Sequence, residues 1–272
     1  MEKGPLLGAG RTADVYAWGD DRVLKLFKDW MPADPIEREF TITRLASQAG
    51  LPVPAAEELV QVDGRLGITF ERIRGVPLLQ TLQARPSEIN SIACLLAELH
   101  ARMHAFNLPP DAPAQREQIE QGVAWAKDLS ETEKEAILGV LAGLPDGIVL
   151  CHGDFHLDNV LVTDHGPVLI DWMTARGGHP LADVARTVLL IQYGGMPPDV
   201  PVFMRILIDT FRPWFISEYL KRYLQLHPAS QSGIEAWQLP LLAARLFEVE
   251  NYPAEKKRIL ARIHTLLAKM EQ

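Results

Sequence analysis

Cysteine is scarce in this chain, with only Cys94 and Cys151 in 272 residues, both in apolar surroundings and without CxxC spacing. That excludes a disulfide scaffold and a cysteine-based zinc site, suits a reducing compartment, and makes both residues expected buried thiols. Long apolar runs are also missing, since nothing approaches the roughly 20 residues needed to span a bilayer. The first residues, MEKGPLLGAGR, lack the apolar stretch and small-residue cleavage site of a secretory signal. No membrane role is expected, and the expected location is cytoplasmic. Basic charge is in deficit: 27 Lys and Arg stand against 35 Asp and Glu, for a net charge of -8. A nonspecific nucleic-acid role, which needs a basic surface to neutralise phosphates, is therefore excluded. The excess acid suits a cationic partner and equally suits plain solubility. Neither low-complexity tracts nor internal repeats are present.

What is present is an ordinary globular composition, 47% apolar and 23% charged, at a length that accommodates two packed units. Val15 to Trp18 and Val23 to Phe27 are short apolar runs joined by GDDR, the pattern of a hairpin. Pro35 opens a helical period through Ile36, Phe40 and Thr43 that Gly50 ends. Two more strands are expected at Glu58 to Val62 and Leu66 to Arg72. From Ser87 the pattern turns helical. A long amphipathic helix carries Ile89, Ile92, Ala93, Leu96, Leu99 and Met103, and LPPDAP at 108 to 113 terminates it. Two helices are expected over 115–143, one over 181–192, and three more over 199–226, 232–250 and 253–270. The boundary falls near Arg72 to Pro77, dividing the chain into 1–74 and 75–272.

The segment that names a chemistry is HGDFHLDNVLV, from His152 to Val162, followed at Val168 by VLIDW. An Asp and an Asn five positions apart on a short loop, with a further Asp closing the next apolar run, match the needs of phosphoryl transfer. There the protein mainly positions reactants and neutralises charge. Asp154 would orient the attacking hydroxyl and accept its proton. The carbonyl oxygen of Asn159 and the carboxylate of Asp171 suit Mg²⁺, which takes few carboxylates plus phosphate oxygens and water. Asp and Asn also occur in loops simply because they bond their own backbone. It is the joint order of strand, loop, hairpin and carboxylate that favours catalysis. His152, directly after the strand VLC, reads as a structural histidine, whereas His156 suits either a terminal phosphate or solvent.

The amino-terminal part adds independent signals. GAGRTADVY supplies Gly8 and Gly10 in an approximate phosphate-covering loop, although Ala13 stands where a GxGxxG pattern requires glycine. Lys25 lies within a strand. Glu39, on the inward side of the following helix beside Ile42 and Thr43, is better placed to reach it than Glu37.

These residues resemble the aminoglycoside phosphotransferase and choline kinase-like group of the protein-kinase-like fold. HGDFHLDNVLV looks like its catalytic loop and LIDW like its counterpart of the kinase DFG motif, with Trp172 at the phenylalanine position. The order glycine-rich hairpin, VLKLF, IEREF, ERIRG, catalytic loop and IDW runs through most of the chain. The resemblance implies an α+β, two-lobed kinase-like fold. It implies Asp154 as base, Asn159 and Asp171 as Mg²⁺ ligands, and Lys25 paired with Glu39 at the phosphates of ATP. It further implies backbone near Glu71 to Ile73 as the adenine-contacting hinge, and Asp183 as the carboxylate that buttresses the catalytic loop. Asp183 by itself also reads as a helix N-terminal aspartate stabilised by the dipole.

The expected function is transfer of the γ-phosphate of ATP to a hydroxyl of a small molecule, such as an aminoglycoside, an amino sugar or choline. A protein substrate is disfavoured because eleven residues separate Asp171 from Asp183, too few for a long activation segment, and no APE motif follows. Asp209, Glu218, Glu248 and Glu250 could face an ammonium-bearing acceptor, but each reads first as a solvated helix residue. Two other classes compete: a nucleotide-binding regulatory module without turnover, and a hydrolase in which His152, Asp154 and His156 alternate along a strand towards one metal.

Overall fold

A computed structural model describes residues 3–195 and 202–270, and it divides into two compact units. The first comprises residues 1–86 and 157–175, the second 87–156 and 176–272.

In the first unit, β1 (Leu6–Ala9), β2 (Ala13–Ala17), β3 (Arg22–Phe27), β4 (Ala56–Val62) and β5 (Arg65–Glu71) form one antiparallel sheet in the order β1-β2-β3-β5-β4. The two predicted hairpins are there, and β1 is an addition whose last two residues, Gly8 and Ala9, open the segment read as a glycine-rich loop. Helix α1 (Ala33–Gln48) crosses between β3 and β4 and buries Ile36, Glu39, Ile42, Thr43 and Ala46. Ala13, Phe27, Ile36, Ile68 and Phe70 form the core beneath the sheet. The alanine at position 13 is thus an apolar strand residue, 4% exposed, where a glycine would lose packing. A short strand β6 (Val76–Pro77) leads into α2 (Leu78–Ala84), a helix the sequence reading did not anticipate.

The second unit begins with α3 (Ile89–Met103), α4 (Gln115–Trp125) and α5 (Glu131–Ala142), then β7 (Val149–Cys151). Ser130 and Glu133 form a reciprocal capping box at the start of α5, which fixes the break expected near Ser130. The chain then returns to the first unit as the hairpin β8 (Val160–Thr163) and β9 (Gly166–Leu169), with β6 pairing to β8. That pairing, together with the bond from Leu169 N–H to the Pro52 carbonyl at 2.7 Å, explains why the division is not a single cut near residues 72–77. The hairpin β8–β9 belongs to the same compact unit as the sheet that precedes it in sequence.

Back in the second unit, β10 (Arg176–Gly178) pairs with β7, and α6 (Pro180–Tyr193), α7 (Val202–Leu226), α8 (Gln231–Glu235), α9 (Gln238–Arg245) and α10 (Pro253–Met270) follow. The single helix expected over 232–250 is instead α8, α9 and a run of turns. Pro240 sits in the first turn of α9, where it lacks no partner, but it is incompatible with the interior of one long helix. Cys151 is buried, whereas Cys94 is half-buried, contrary to expectation. No helix among the described residues is long and apolar enough to cross a membrane.

Candidate active site

The first unit gathers Lys25, Glu39, Asn159 and Asp171. Lys25 lies on β3, between Leu24 and Leu26, whose side chains are fully buried. Its Nζ donates to both oxygens of Glu39, at 2.7 and 2.9 Å, and to Asp171 Oδ1 at 2.8 Å. Glu39 is on α1 and almost wholly buried; Glu37, its competitor in the sequence, uses its backbone carbonyl to accept from Thr41. Burial by itself would lower the Lys25 pKa, but the charges of Glu39 and Asp171 outweigh it and the ammonium is held well above its ordinary range. Burial is also the largest influence on Glu39 and pushes its carboxyl up, a tendency that Lys25 opposes.

Asp171 follows β9 with φ of 66°, a left-handed conformation uncommon for residues other than glycine. Its position is set from both sides. The Ile170 N–H donates to the Asn159 carbonyl at 3.0 Å, and Trp172, 1% exposed, donates its indole N–H to the Leu169 carbonyl. With the residue after it anchored in the core, the Asp171 carboxylate stays 45% exposed. Asn159 closes a short 3₁₀ turn, Leu157–Asn159, and is buried. The hairpin β8–β9 therefore carries both residues whose oxygens were expected to hold a hard cation.

Gly8 pairs with Val15 within β1–β2, and Gly10 N–H donates to the Ala13 carbonyl at 2.8 Å, so residues 10–12 form an exposed turn. Glu71 ends β5. The N–H groups of Glu71 and Arg72 are taken by the carbonyls of Ala55 and Asp21, which leaves Ile73 in the segment between β5 and β6.

The second unit holds His152, Asp154 and Asp183. Residues 152–156 leave β7 as a bend rather than a strand, with Gly153 at φ of 75°. The alternation of His152, Asp154 and His156 that a strand-borne metal centre requires is therefore absent, and the His152 ring is fully buried. One face of α6 grips this bend. Asp183 accepts the His152 N–H at 2.7 Å and the Gly153 N–H at 2.8 Å, Arg186 Nε donates to the Gly153 carbonyl at 3.1 Å, and Thr187 Oγ1 donates to the Phe155 carbonyl at 2.9 Å. These three residues stand at i, i+3 and i+4, so they share a side of the helix. Sequence reasoning identified Asp183 and missed Arg186 and Thr187; polar residues at that spacing inside an otherwise apolar helix were the available signal.

Asp154 is about a third exposed, with Oδ2 3.6 Å from His156 Nε2, an ion-pair separation beyond ordinary hydrogen bonding. Burial would raise its pKa, but His156, then Arg186 and His152, prevail and hold the carboxyl well below the usual range. At neutral pH it is a carboxylate, the form a base requires.

Asp183 is completely buried and accepts two further N–H groups on Oδ2, from His100 Nε2 at 3.0 Å and His104 Nε2 at 3.3 Å. Both histidines are on α3 and went unremarked in the sequence. The four acidic residues considered for an acceptor's ammonium each have a cation of their own. Glu248 accepts from Arg186 at 2.6 and 2.8 Å and from Arg245 at 3.0 Å. Glu250 lies 3.2 Å from Lys127, Asp209 3.5 Å from Arg212, and Glu218 3.8 Å from Lys221.

A sheet-borne lysine held by a helix glutamate, a carboxylate after a hairpin, and an aspartate on a bend buttressed from a helix define a protein of the kinase-like fold. The chain belongs to the phosphotransferase enzyme family, whose model matches residues 3–225. Solved structures agree on the fold. An aminoglycoside phosphotransferase in complex with ADP and hygromycin B aligns over 98% of this chain and 93% of its own, at 16% identity and a TM-score of 0.67. A choline/ethanolamine kinase family protein from Mesorhizobium loti aligns over 97% and 88%, at 17% identity and a TM-score of 0.64. An amicoumacin kinase in complex with AMP-PNP, Ca²⁺ and its ligand aligns over 96% and 86%, at 16% identity and a TM-score of 0.64. Among curated proteins the chain is similar to acyl-CoA dehydrogenase family member 10 of Mus musculus, 30% identical over 181 residues, 58% of this chain. It is also similar to family member 11 of Pongo abelii, 26% identical over 200 residues, 60% of this chain. The matched segments are 17% and 25% of those relatives, so the chain corresponds to a minor part of their length.

Proposed function

We propose that this chain transfers the γ-phosphoryl group of ATP to a hydroxyl of a small molecule. The observation that carries the assignment is Lys25 held between Glu39 and Asp171, which keeps a charged ammonium fixed beside a half-exposed carboxylate, an arrangement suited to meeting phosphate. Family membership and the nucleotide complexes of proteins with the same fold support it.

Asp154 orients the acceptor hydroxyl and takes its proton. As that O–H bond breaks, the oxygen forms a bond to the γ-phosphorus, and the bond from phosphorus to the bridging oxygen of ADP breaks. Lys25, kept cationic by Glu39, neutralises charge on the phosphates, and the exposed turn at Gly10 to Thr12 lets backbone N–H groups approach them. Asn159 and Asp171 suit Mg²⁺ because one neutral carbonyl oxygen and one half-exposed carboxylate leave the remaining positions to phosphate and water. Bound there, the ion supplies charge neutralisation. The backbone near Glu71 to Ile73 is assigned to the adenine.

The acceptor class is a small hydroxyl compound. Hygromycin B and amicoumacin are bound by proteins of the same fold, and the excess acid of this chain suits a cationic molecule of that kind. Purified protein with ATP and Mg²⁺ should form ADP only when an acceptor is added from a panel of aminoglycosides, amino sugars, choline, thiamine and macrolides. Mass spectrometry locates the phosphate. Asp154→Ala should abolish turnover while nucleotide still binds. Metal-dependent phosphoester hydrolysis without ATP would overturn the assignment, and nucleotide binding without turnover across the panel would favour a regulatory module instead.

A further inference from the structure

Asp183 does more than meet the catalytic loop, because behind it lie two parallel tiers of buried side chains. His100 Nδ1 is 2.6 Å from the Tyr219 hydroxyl, and His104 Nδ1 is 2.7 Å from the Tyr223 hydroxyl. The Nε2 atoms of both rings converge on the same oxygen, Asp183 Oδ2, at 3.0 and 3.3 Å. The rings are 4.2 Å apart, and all four aromatic residues are 4% exposed or less. The pairs sit at i and i+4 on both α3 and α7, in the same order along each, so the two helices run parallel here and present matched rungs.

These atoms also have the composition of a metal site, since the ligand atoms of His100, His104 and Asp183 lie within 4.8 Å of one another. The geometry is that of hydrogen bonding instead. Each Nε2 is within hydrogen-bond reach of Oδ2, which in addition takes the His152 N–H, and each Nδ1 is taken by a tyrosine hydroxyl, so hydrogen bonds account for all of these atoms. The proton positions follow from the acceptor. An ionised carboxylate can only accept, so both Nε2 atoms carry hydrogen. Burial, and then His104, push the His100 ring down to about 3, so it is neutral, its Nδ1 is bare, and the Tyr219 hydroxyl donates to it.

We propose that Tyr219 and Tyr223 are positioning residues of the catalytic loop, acting through His100 and His104 on Asp183 and thence on the His152 and Gly153 amides. Each tyrosine fixes the tautomer and the rotation of its histidine. The histidines then fix Asp183 Oδ2 at the point where it receives the loop. Helix α7 thereby bears on the geometry of the loop through Asp183. The kinetic consequence rests on the phosphoryl-transfer assignment; the structural consequence does not.

The test combines an observation on the intact chain with two variants. Nitrogen NMR of imidazole-labelled protein should show the His100 ring as the Nε2–H tautomer at neutral pH, and an Nδ1–H form there would overturn the proposal. Tyr219→Phe and Tyr223→Phe should each speed amide exchange in the peptide spanning residues 150–158 by up to about tenfold, the effect of weakening one hydrogen bond. The double variant should exceed either single one. If turnover is established, kcat should fall while KM for ATP stays constant, because Lys25 and its partners are untouched. A lowered melting temperature with unchanged exchange in that peptide would show that the tyrosines only stabilise, and would overturn the proposal. If instead exchange rises but Asp154→Ala has no effect on activity, the assignment of Asp154 fails and the positioning network stands.

Discussion

Asp183→Asn is the most economical perturbation of the site, because it keeps the side-chain shape and changes only charge and one acceptor. Oδ2 takes three N–H groups, from His152, His100 and His104, and Oδ1 takes one, from Gly153. The amide will turn its oxygen to the three donors, since the other orientation sets its NH₂ against all of them. Its NH₂ then faces the Gly153 N–H, and that bond is lost. A hydrogen bond to a charged group contributes about 1.5–3 kcal/mol, and a stranded buried donor costs about 1–3 kcal/mol. The other three bonds weaken as their acceptor becomes neutral. Against this, a buried amide is cheaper to desolvate than a carboxylate. A net loss of about 3 kcal/mol is expected, which lowers the melting temperature by about 6–12 °C for a domain of this size. Calorimetry at pH 7 measures it.

The pH dependence gives a second arm to the same experiment. Burial would raise the Asp183 pKa, but its hydrogen bonds to His100 and His104 hold it well below 3.8. A carboxyl depressed in the folded state contributes stability that is present above its unfolded pKa of about 3.9 and is lost as pH falls through the folded value. The difference between parent and variant should therefore shrink only below about pH 4. A variant that melts within about 2 °C of the parent at pH 7, well under the shift expected of one lost buried bond, would refute the reasoning.

Lys25→Met should leave Glu39 buried without its cation and destabilise the first unit by about 3 kcal/mol at pH 7. Since Glu39 is then favoured in its protonated form, the loss should diminish towards pH 5, and urea denaturation at the two pH values would contradict this if the loss were equal. Gly153→Ala forces a left-handed residue to carry a Cβ, at about 1–2 kcal/mol. It should also lower kcat by displacing Asp154, and full activity with an unchanged melt would count against the strain.

The local layout of the candidate site was legible where the sequence is contiguous. Asn159 and Asp171 lie at the two ends of one hairpin, β8 and β9, so a short stretch of sequence already places them together. Glu39 was separable from Glu37 because helix phase alone decides which one faces β3. What could not be read was the support behind the loop. His100 and His104 sit on an apolar helix stripe, where a histidine is usually a satisfied core residue, and their partners Asp183, Tyr219 and Tyr223 are 79 to 119 residues away. No local period announces such a contact. Of the four acids that could face an ammonium, Glu248 and Glu250 meet Arg186 and Lys127 from distant elements, a pairing equally invisible in the sequence, whereas Asp209 and Glu218 lie beside cations three residues on in their own helix.

The loop is held from one helix face because its own backbone leaves regular pairing. Residues 152–155 must leave β7, pass through a left-handed glycine and expose Asp154, and this takes their backbone out of regular pairing. Buried N–H and C=O groups so released need partners. Asp183, Arg186 and Thr187 supply them: a carboxylate for the two N–H groups, a guanidinium and a hydroxyl for the carbonyls of Gly153 and Phe155. Pro180 at the start of α6 and the His179 ring nitrogen accepting the Leu181 N–H fix where that helix begins, which places Asp183 in its positively polarised first turn. The dipole and four donated hydrogen bonds together let a carboxylate stay ionised with no exposure. A neutral residue at position 183 would spare that desolvation, but it could not accept both loop amides and both histidines at once.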